Sequence, residues 1–213
     1  MNRIYRGGIY ALGTLTLAAG ITLNTKTGLG VSPIISIPFS ISELWGLDFA
    51  MLTFVLYALC IVGEVLIRRQ IRISDLLQLP FSFVFSLLLD IFSALITYDC
   101  SQHGLGSNLG LLLLAVLLTG AGIALMVNMQ LIPNPADGIV QAIAQRLDWE
   151  QGAAKNFFDI SCAGTTCVLG LIFARKIVGI GLGTLVAMVG VGRAVFLVNR
   201  LFKTKMCQAA GLA

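Results

Sequence analysis

The chain has 213 residues, 57% of them hydrophobic and 11% charged, with a mean hydropathy of +0.93 and a formal net charge of +4. A soluble domain carries roughly a quarter of its residues as charges, so this composition excludes a soluble enzyme or binding module and puts the chain in a bilayer. Long polar loops are lacking, which argues against a nucleic acid partner.

Six stretches approach or reach the roughly 20 apolar residues that a bilayer core requires. They are 8–24, 49–67, 76–96, 109–128, 153–174 and 177–198. Arg3 and Arg6 before the first, with Ala18-Ala19-Gly20 near its end, also fit a cleaved signal peptide. Its likeness to the fourth stretch argues that it is retained.

That likeness is specific. The first stretch ends Ala18-Ala19-Gly20-Ile21-Thr22-Leu23 and leads into Gly28-Leu29-Gly30-Val31-Ser32-Pro33. The fourth ends Gly120-Ala121-Gly122-Ile123-Ala124-Leu125 and leads into Leu131-Ile132-Pro133-Asn134-Pro135-Ala136-Asp137. Without a gap, the span ends and the Ser-Pro and Asn-Pro dipeptides share one offset. Each half continues as a short segment, a Trp (Trp45, Trp149), a second span, a basic pair (Arg68-Arg69, Arg175-Lys176) and a third span. Three crossings is an odd number, so a duplicated unit must sit inverted relative to its first copy, as in many transporters. The expected fold is an all-α transmembrane bundle in one domain, 1–213, with six spans as two inverted three-helix repeats, about 1–98 and about 108–203.

Between the first and second spans of each half stands a short helix. Ser32-Pro33 and Asn134-Pro135 have the form of an N-cap followed by proline at N1, where no backbone N–H is needed. Asp137, three residues after Asn134, suggests an approximate capping box with a shorter acid than usual. These helices run to about Leu44 and Leu147, roughly 20 Å at about 1.5 Å per residue, too short to span. Ile139, Val140, Ile143, Ala144 and Leu147 form an apolar stripe suited to a membrane surface, whereas the segment 34–41, apolar on more sides and holding Pro38, suits burial in protein. If both re-enter, their N-termini meet near the midplane and offer unpaired N–H groups and positive partial charge to an anionic or polar solute. Asp137 would offset that field, leaving a zwitterion or weakly polar ligand equally compatible. Asn134-Pro135-Ala136 also spells the triplet of water channels, but the first copy reads Ser32-Pro33-Ile34 and no Arg follows closely, so that pattern is incomplete.

Ionisable groups at bilayer depth are costly and invite functional roles. Glu64, Asp159 and Arg193 fall in the inner halves of their spans and Asp90 towards the outside. The sharper expectation is that Arg193 pairs with Glu64 or Asp159 while the remaining carboxylate carries a proton. The alternative is that Glu64 snorkels beside Arg68 and Arg193 anchors at the headgroups. The last span opens Gly179-Ile180-Gly181-Leu182-Gly183-Thr184, which serves either close helix packing or an unwound segment at a ligand that includes Gly181, Gly183 and Thr184. Nucleotide-loop, metalloprotease and serine-nucleophile motifs are absent, so neither enzyme activity nor a cofactor is expected. The five cysteines are an odd count, and Cys100 with His103 lacks further metal ligands, so no metal site is expected.

Lys and Arg near span ends set orientation. Arg3 and Arg6 place the N-terminus in the cytoplasm, and six crossings then put Arg68, Arg69, Arg72, Arg146, Arg200, Lys203 and Lys205 inside, with the C-terminus, and Lys26, Arg175 and Lys176 outside. The Arg175-Lys176 pair departs from the bias, as equivalent loops of an inverted repeat do; a miscounted crossing is the alternative.

The pattern Thr27-Gly28-Leu29-Gly30-Val31-Ser32-Pro33, with Gly179-Ile180-Gly181-Leu182-Gly183-Thr184 opening the last span, resembles the YczE/YitT-like family of bacterial membrane proteins. Leu182 interposes within that family's Gly-Ile-Gly-Thr order. The resemblance covers nearly the whole chain and implies a polytopic protein of the bacterial inner membrane, and it supplies no substrate. The expected function is secondary transport or export of a small polar or charged solute, with the lipid bilayer and that solute as partners. The alternatives are a solute-binding subunit working with a partner ATPase and a non-transporting scaffold; homo-oligomerisation stays open.

Overall fold

The structure, a computed structural model, describes residues 2–212, with side chains from Ile4 onward. Arg3 therefore lies outside the described side chains. Eight α-helices follow one another: α1 (Asn2–Lys26), α2 (Pro33–Trp45), α3 (Phe49–Arg68), α4 (Ile73–Leu95), α5 (Leu105–Met129), α6 (Pro135–Leu147), α7 (Gln151–Ala174) and α8 (Leu182–Ala210). A 3-10 turn, Cys100–Gln102, follows α4, and no strand occurs among the described residues. Five helices are long and apolar enough to cross a membrane: α3, α4 with its 3-10 extension, α5, α7 and α8. The remaining long helix, α1, is interrupted by Gly7, Gly8, Gly13 and Gly20 and by four threonines.

The helices bury polar residues among an apolar core and turn large apolar side chains outward. Met51, Val55, Leu59, Val62 and Leu66 form an exposed stripe at helical spacing on α3, while Thr53, Tyr57, Cys60 and Glu64 are buried. The same inversion holds on α4, which buries Asp75, Gln78, Ser82 and Ser86 and exposes Leu76, Phe83, Leu87 and Ile91. Hydrocarbon supplies no hydrophobic drive between helices, so association rests on close packing by small residues and on polar contacts.

The central crossing joins α1 and α5, antiparallel. At one end Arg6 donates from Nε to the Met129 carbonyl at 2.7 Å and from Nη2 to the Gln130 carbonyl at 2.8 Å. Further along, a β-carbon on Gly122 would lie 2.5 Å from the Leu17 nitrogen and 2.8 Å from the Gly13 carbonyl oxygen. One on Gly20 would lie 2.6 Å from the Thr119 nitrogen and 3.0 Å from the Ala115 carbonyl oxygen. Gly20 and Gly122 hold equivalent positions in the repeated sequence, and so do Leu17 and Thr119, and Gly13 and Ala115. The contact is therefore reciprocal. The remaining packing follows suit: α2 lies on α7 as α6 lies on α3, and α1 packs with α4 as α5 packs with α8.

The short helices α2 and α6 are held within the bundle. Pro33, Ile35, Ser36, Pro38 and Ser40 are buried on α2, and Pro135, Ala136, Gly138, Val140, Ala142 and Ala144 on α6. Both stop at a left-handed residue, Gly46 with φ 65° and Asp148 with φ 54°. Beside each stop a tryptophan packs edge-on against α7, Trp45 on Phe173 with centroids 5.0 Å apart and Trp149 on Phe157 at 5.6 Å.

The last helix begins at Leu182, not at Ile177 as hydrophobicity alone suggests. The segment before it is committed elsewhere, because the Val31 amide donates to the Gly179 carbonyl at 2.9 Å and the Gly183 amide to the Leu29 carbonyl at 2.7 Å. This backbone clasp needs Gly30 with φ 100° and Gly179 with φ 82°, conformations that side chains resist.

Candidate functional site: a polar cavity between two helix starts

Asn134 caps α6 as its sequence position suggests. Its Oδ1 accepts from the Ala136 amide at 3.0 Å, and its carbonyl accepts from the Asp137 and Gly138 amides at 2.9 Å each. The expected capping box does not form: the Asp137 carboxylate makes no hydrogen bond or ion pair among the described residues. At α2 the Ser32 hydroxyl makes no capping bond either; Ser36 Oγ instead turns back to the Pro33 carbonyl at 2.6 Å and meets Thr166 Oγ1 at 2.7 Å. The two helix starts meet, because Ser32, Pro33, Asn134 and Asp137 line one small inner cavity of about 70 Å³ together with Tyr57 and the Lys155–Asp159 pair. Pro135 is buried beside it as the first residue of α6.

A larger cavity of about 400 Å³ adjoins the inner one. Its charged lining is Glu64, Arg68, Arg72 and Asp137, with Asn134 and Gln141 among its polar residues. Leu17, Ile123, Asn134 and Asp137 line both cavities and form the partition between them. This vestibule lies at the end of the bundle where Arg6 grips the end of α5. At the opposite end, the segment 28–31, equivalent to the vestibule's 130–133, lines a cavity of about 360 Å³ with Gly179, Gly181 and Leu182. That cavity shares no lining residue with the inner one, and the clasp residues Leu29, Val31 and Gly179 line it.

Charge on the vestibule side is organised around Arg68. It pairs with Glu64, one helical turn before it, reaches Asp75 at 3.3 Å and donates to the Gly138 carbonyl at 3.5 Å. Gln78 Nε2 donates to Glu64 Oε2 at 3.2 Å, and the other Asp75 oxygen accepts from the Arg72 amide at 2.9 Å. Glu64 is fully buried, so its guanidinium partner is what makes the charge tolerable there. Across the inner cavity Lys155 pairs with Asp159 at 3.2 Å, again one turn apart.

These pairs correct the expected role of Arg193, which is exposed and joins neither carboxylate. Asp90 is exposed as well, away from the cavities. Gly181, Gly183 and Thr184 are not among the residues lining the inner cavity, and Gly181 lines the cavity at the opposite end. Gly183 belongs to the clasp, and buried Thr184 accepts from the Gly181 amide at 3.1 Å. Of the expected binding and coupling residues, the fold thus gathers Ser32, Pro33, Asn134, Asp137 and Asp159 at one cavity, with Glu64 in the vestibule.

Tyr57, Gln78 and Lys155 join the site without having been singled out. Lys155 was readable, standing one helical turn before Asp159. Tyr57 holds in the first repeat the position that Asp159 holds in the second; its hydroxyl lies 3.5 Å from Asn134 Nδ2. Gln78 sits in a third span with no sequence signal to separate it from its neighbours. Among the described residues no three His, Cys, Asp or Glu side chains group closely enough to hold a metal ion.

No curated protein and no solved structure matches this sequence. Residues 4–200 match the model of a family of unknown function, DUF6198, and the chain belongs to that family, as a membrane-spanning helical member.

Proposed function

We propose that the chain is a secondary transporter or exporter of a small polar or charged solute, with six spans arranged as two inverted three-span repeats, about 1–98 and 108–203. On this reading α1 is the first crossing, laid antiparallel along α5, and the family belongs among the YczE/YitT-like proteins of the bacterial inner membrane. Supporting the inversion is the reciprocal contact of Gly20 and Gly122: two antiparallel helices exchanging equivalent contacts are related by a two-fold axis perpendicular to them. Supporting a cytoplasmic position for both termini are Arg6, Arg68, Arg69, Arg72, Arg146, Arg200, Lys203 and Lys205, which gather at the vestibule end, against Lys26, Arg175 and Lys176 at the other. The work of the molecule is then to bind and move a solute, without catalysis and without a cofactor.

The observation that carries the reading is the asymmetry of the two ends. The inner cavity adjoins a vestibule at one end, while at the other the equivalent passage is clasped by Gly179 and Gly183 on 29–31. Two equivalent passages, one open and one clasped, describe one state of a site exposed alternately to each side. The test uses Ile123→Cys, on the partition, in a variant lacking the five natural cysteines. A membrane-impermeant maleimide is applied to right-side-out and to inverted vesicles. Labelling from both faces is expected. Labelling from one face alone overturns transport in favour of a capture subunit, and labelling from neither leaves a scaffold.

A further inference from the structure

Around the two cavities one carboxylate is left without an ion-pair or hydrogen-bond partner among the described residues. On α7, Lys155 and Asp159 satisfy each other. On α3, Glu64 is held by Arg68, which also holds Asp75 of α4. Arg72 is solvent-exposed at the vestibule rim. Tyr57 is neutral. Of these charged groups Asp137 alone stands on the partition, facing both cavities, with no partner among the described residues. The start of α6 does not satisfy its carboxylate, because the Ala136, Asp137 and Gly138 amides are already taken by Asn134.

From this we infer that Asp137 is the counter-ion for a small protonated amine, and that the same carboxyl group holds a proton when the amine is absent. The inference rests on the proposed solute site and names the class of its occupant. An anion at the partition would face Asp137, and the lining cation Lys155 is already paired with Asp159, whereas an ammonium group finds the carboxylate and the hydroxyl oxygens of Ser32 and Tyr57. Volume agrees. About 70 Å³ is several times the roughly 10–15 Å³ that a single water requires, so a small ammonium headgroup fits. The adjoining vestibule, with Asn134, Gln130 and Gln141 among its apolar walls, accepts a short polar tail.

The exchange balances without further reactants. The neutral carboxylic acid of Asp137 meets R–NH3+; the acid O–H bond breaks, its proton leaves to water through the vestibule, and the carboxylate takes the ammonium as its hydrogen-bonded partner. One positive charge enters the site as one leaves, so an uncompensated charge never occupies the interior.

Purified protein in detergent and weak buffer, with a pH indicator, tests this using three probes of matched size, each pre-adjusted to the same pH. Ethanolamine is expected to release about one proton per chain, as one carboxyl group must, while ethylene glycol and glycolate release none. Asp137→Asn abolishes the release, and Asp137→Glu retains it. Silence of the wild-type protein with ethanolamine, an equal response to glycolate, or an unchanged response in a folded Asp137→Asn variant overturns the inference. The wild-type comparison needs no variant to fold. Proton release with one-sided labelling of Ile123→Cys rejects transport and keeps the amine site; two-sided labelling with no release does the reverse.

Discussion

Gly138 faces the Glu64 carboxylate across a gap with no room for a β-carbon. Its counterpart in the first repeat, Ser36, meets Thr166, the counterpart of Glu64, through a 2.7 Å hydroxyl contact. The same pair of helix faces is thus closed by a large charged side chain against glycine on one side and by two small hydroxyls on the other.

Gly138→Ala is expected to destabilise the fold by about 1–3 kcal/mol, the usual range for overpacking a tight site. Making room would pull the Glu64 carboxylate away from its partners Arg68 and Gln78. Combined with Glu64→Ala the penalty should shrink, because the clash is gone. Thermal unfolding of the two single variants and the double variant reads this as non-additivity, and additive losses would refute the contact.

Removing Arg68 leaves Glu64 and Asp75 buried together without their shared cation. Arg68→Ala should cost about 3–5 kcal/mol, the range for breaking a buried ion pair. Lysine should rescue only partly, because one ammonium lacks the planar fork that spans Glu64, Asp75 and the Gly138 carbonyl. Full rescue in a melting experiment would show that charge alone matters.

The α1–α5 crossing predicts a sharp contrast among glycines. Gly20→Ala and Gly122→Ala should each reduce the yield of folded protein severely, since the added carbon meets backbone that cannot move aside. Gly7→Ala and Gly8→Ala, with nothing within 4 Å, should be silent or mildly stabilising through helix propensity. Size-exclusion profiles of the four variants check this directly.

Gly183→Ala should loosen the clasp, because its β-carbon would lie 2.7 Å from the Gly30 carbonyl oxygen and 2.9 Å from that of Leu29. Labelling of Ile123→Cys from the face opposite the vestibule should then rise relative to the parent. An unchanged labelling ratio would mean that the clasp does not control that passage.

Much of the architecture was legible because proline and glycine fix backbone positions. Pro33 and Pro135 open their helices where the Ser-Pro and Asn-Pro dipeptides indicate, and the repeated spacing brought Ser32 and Asn134 to one cavity. Less legible was rotation about a helix axis. Depth along a span placed Arg193 level with the inner carboxylates, but α8 turns Ala187, Gly190, Val191 and Ala194 against α5, and Arg193 is exposed off that seam. The carboxylates instead took the nearest cation on their own helices, Arg68 and Lys155, which an i,i+4 spacing delivers whatever the tertiary arrangement. Hydropathy likewise overextended the final span, since a clasp made of backbone hydrogen bonds leaves no apolar signature.

The exchange of like contacts between Gly20 and Gly122 carries an implication for ancestry. A surface that matches its own copy needs no second kind of surface to bind, so one half of this molecule would already contain everything required to pair with another such half lying head to tail. On the proposed inverted-repeat reading, fusion of two identical ancestral subunits is the simplest origin. Separately expressed halves, each inserted in its own sense, are the natural place to look for a surviving trace of that dimer.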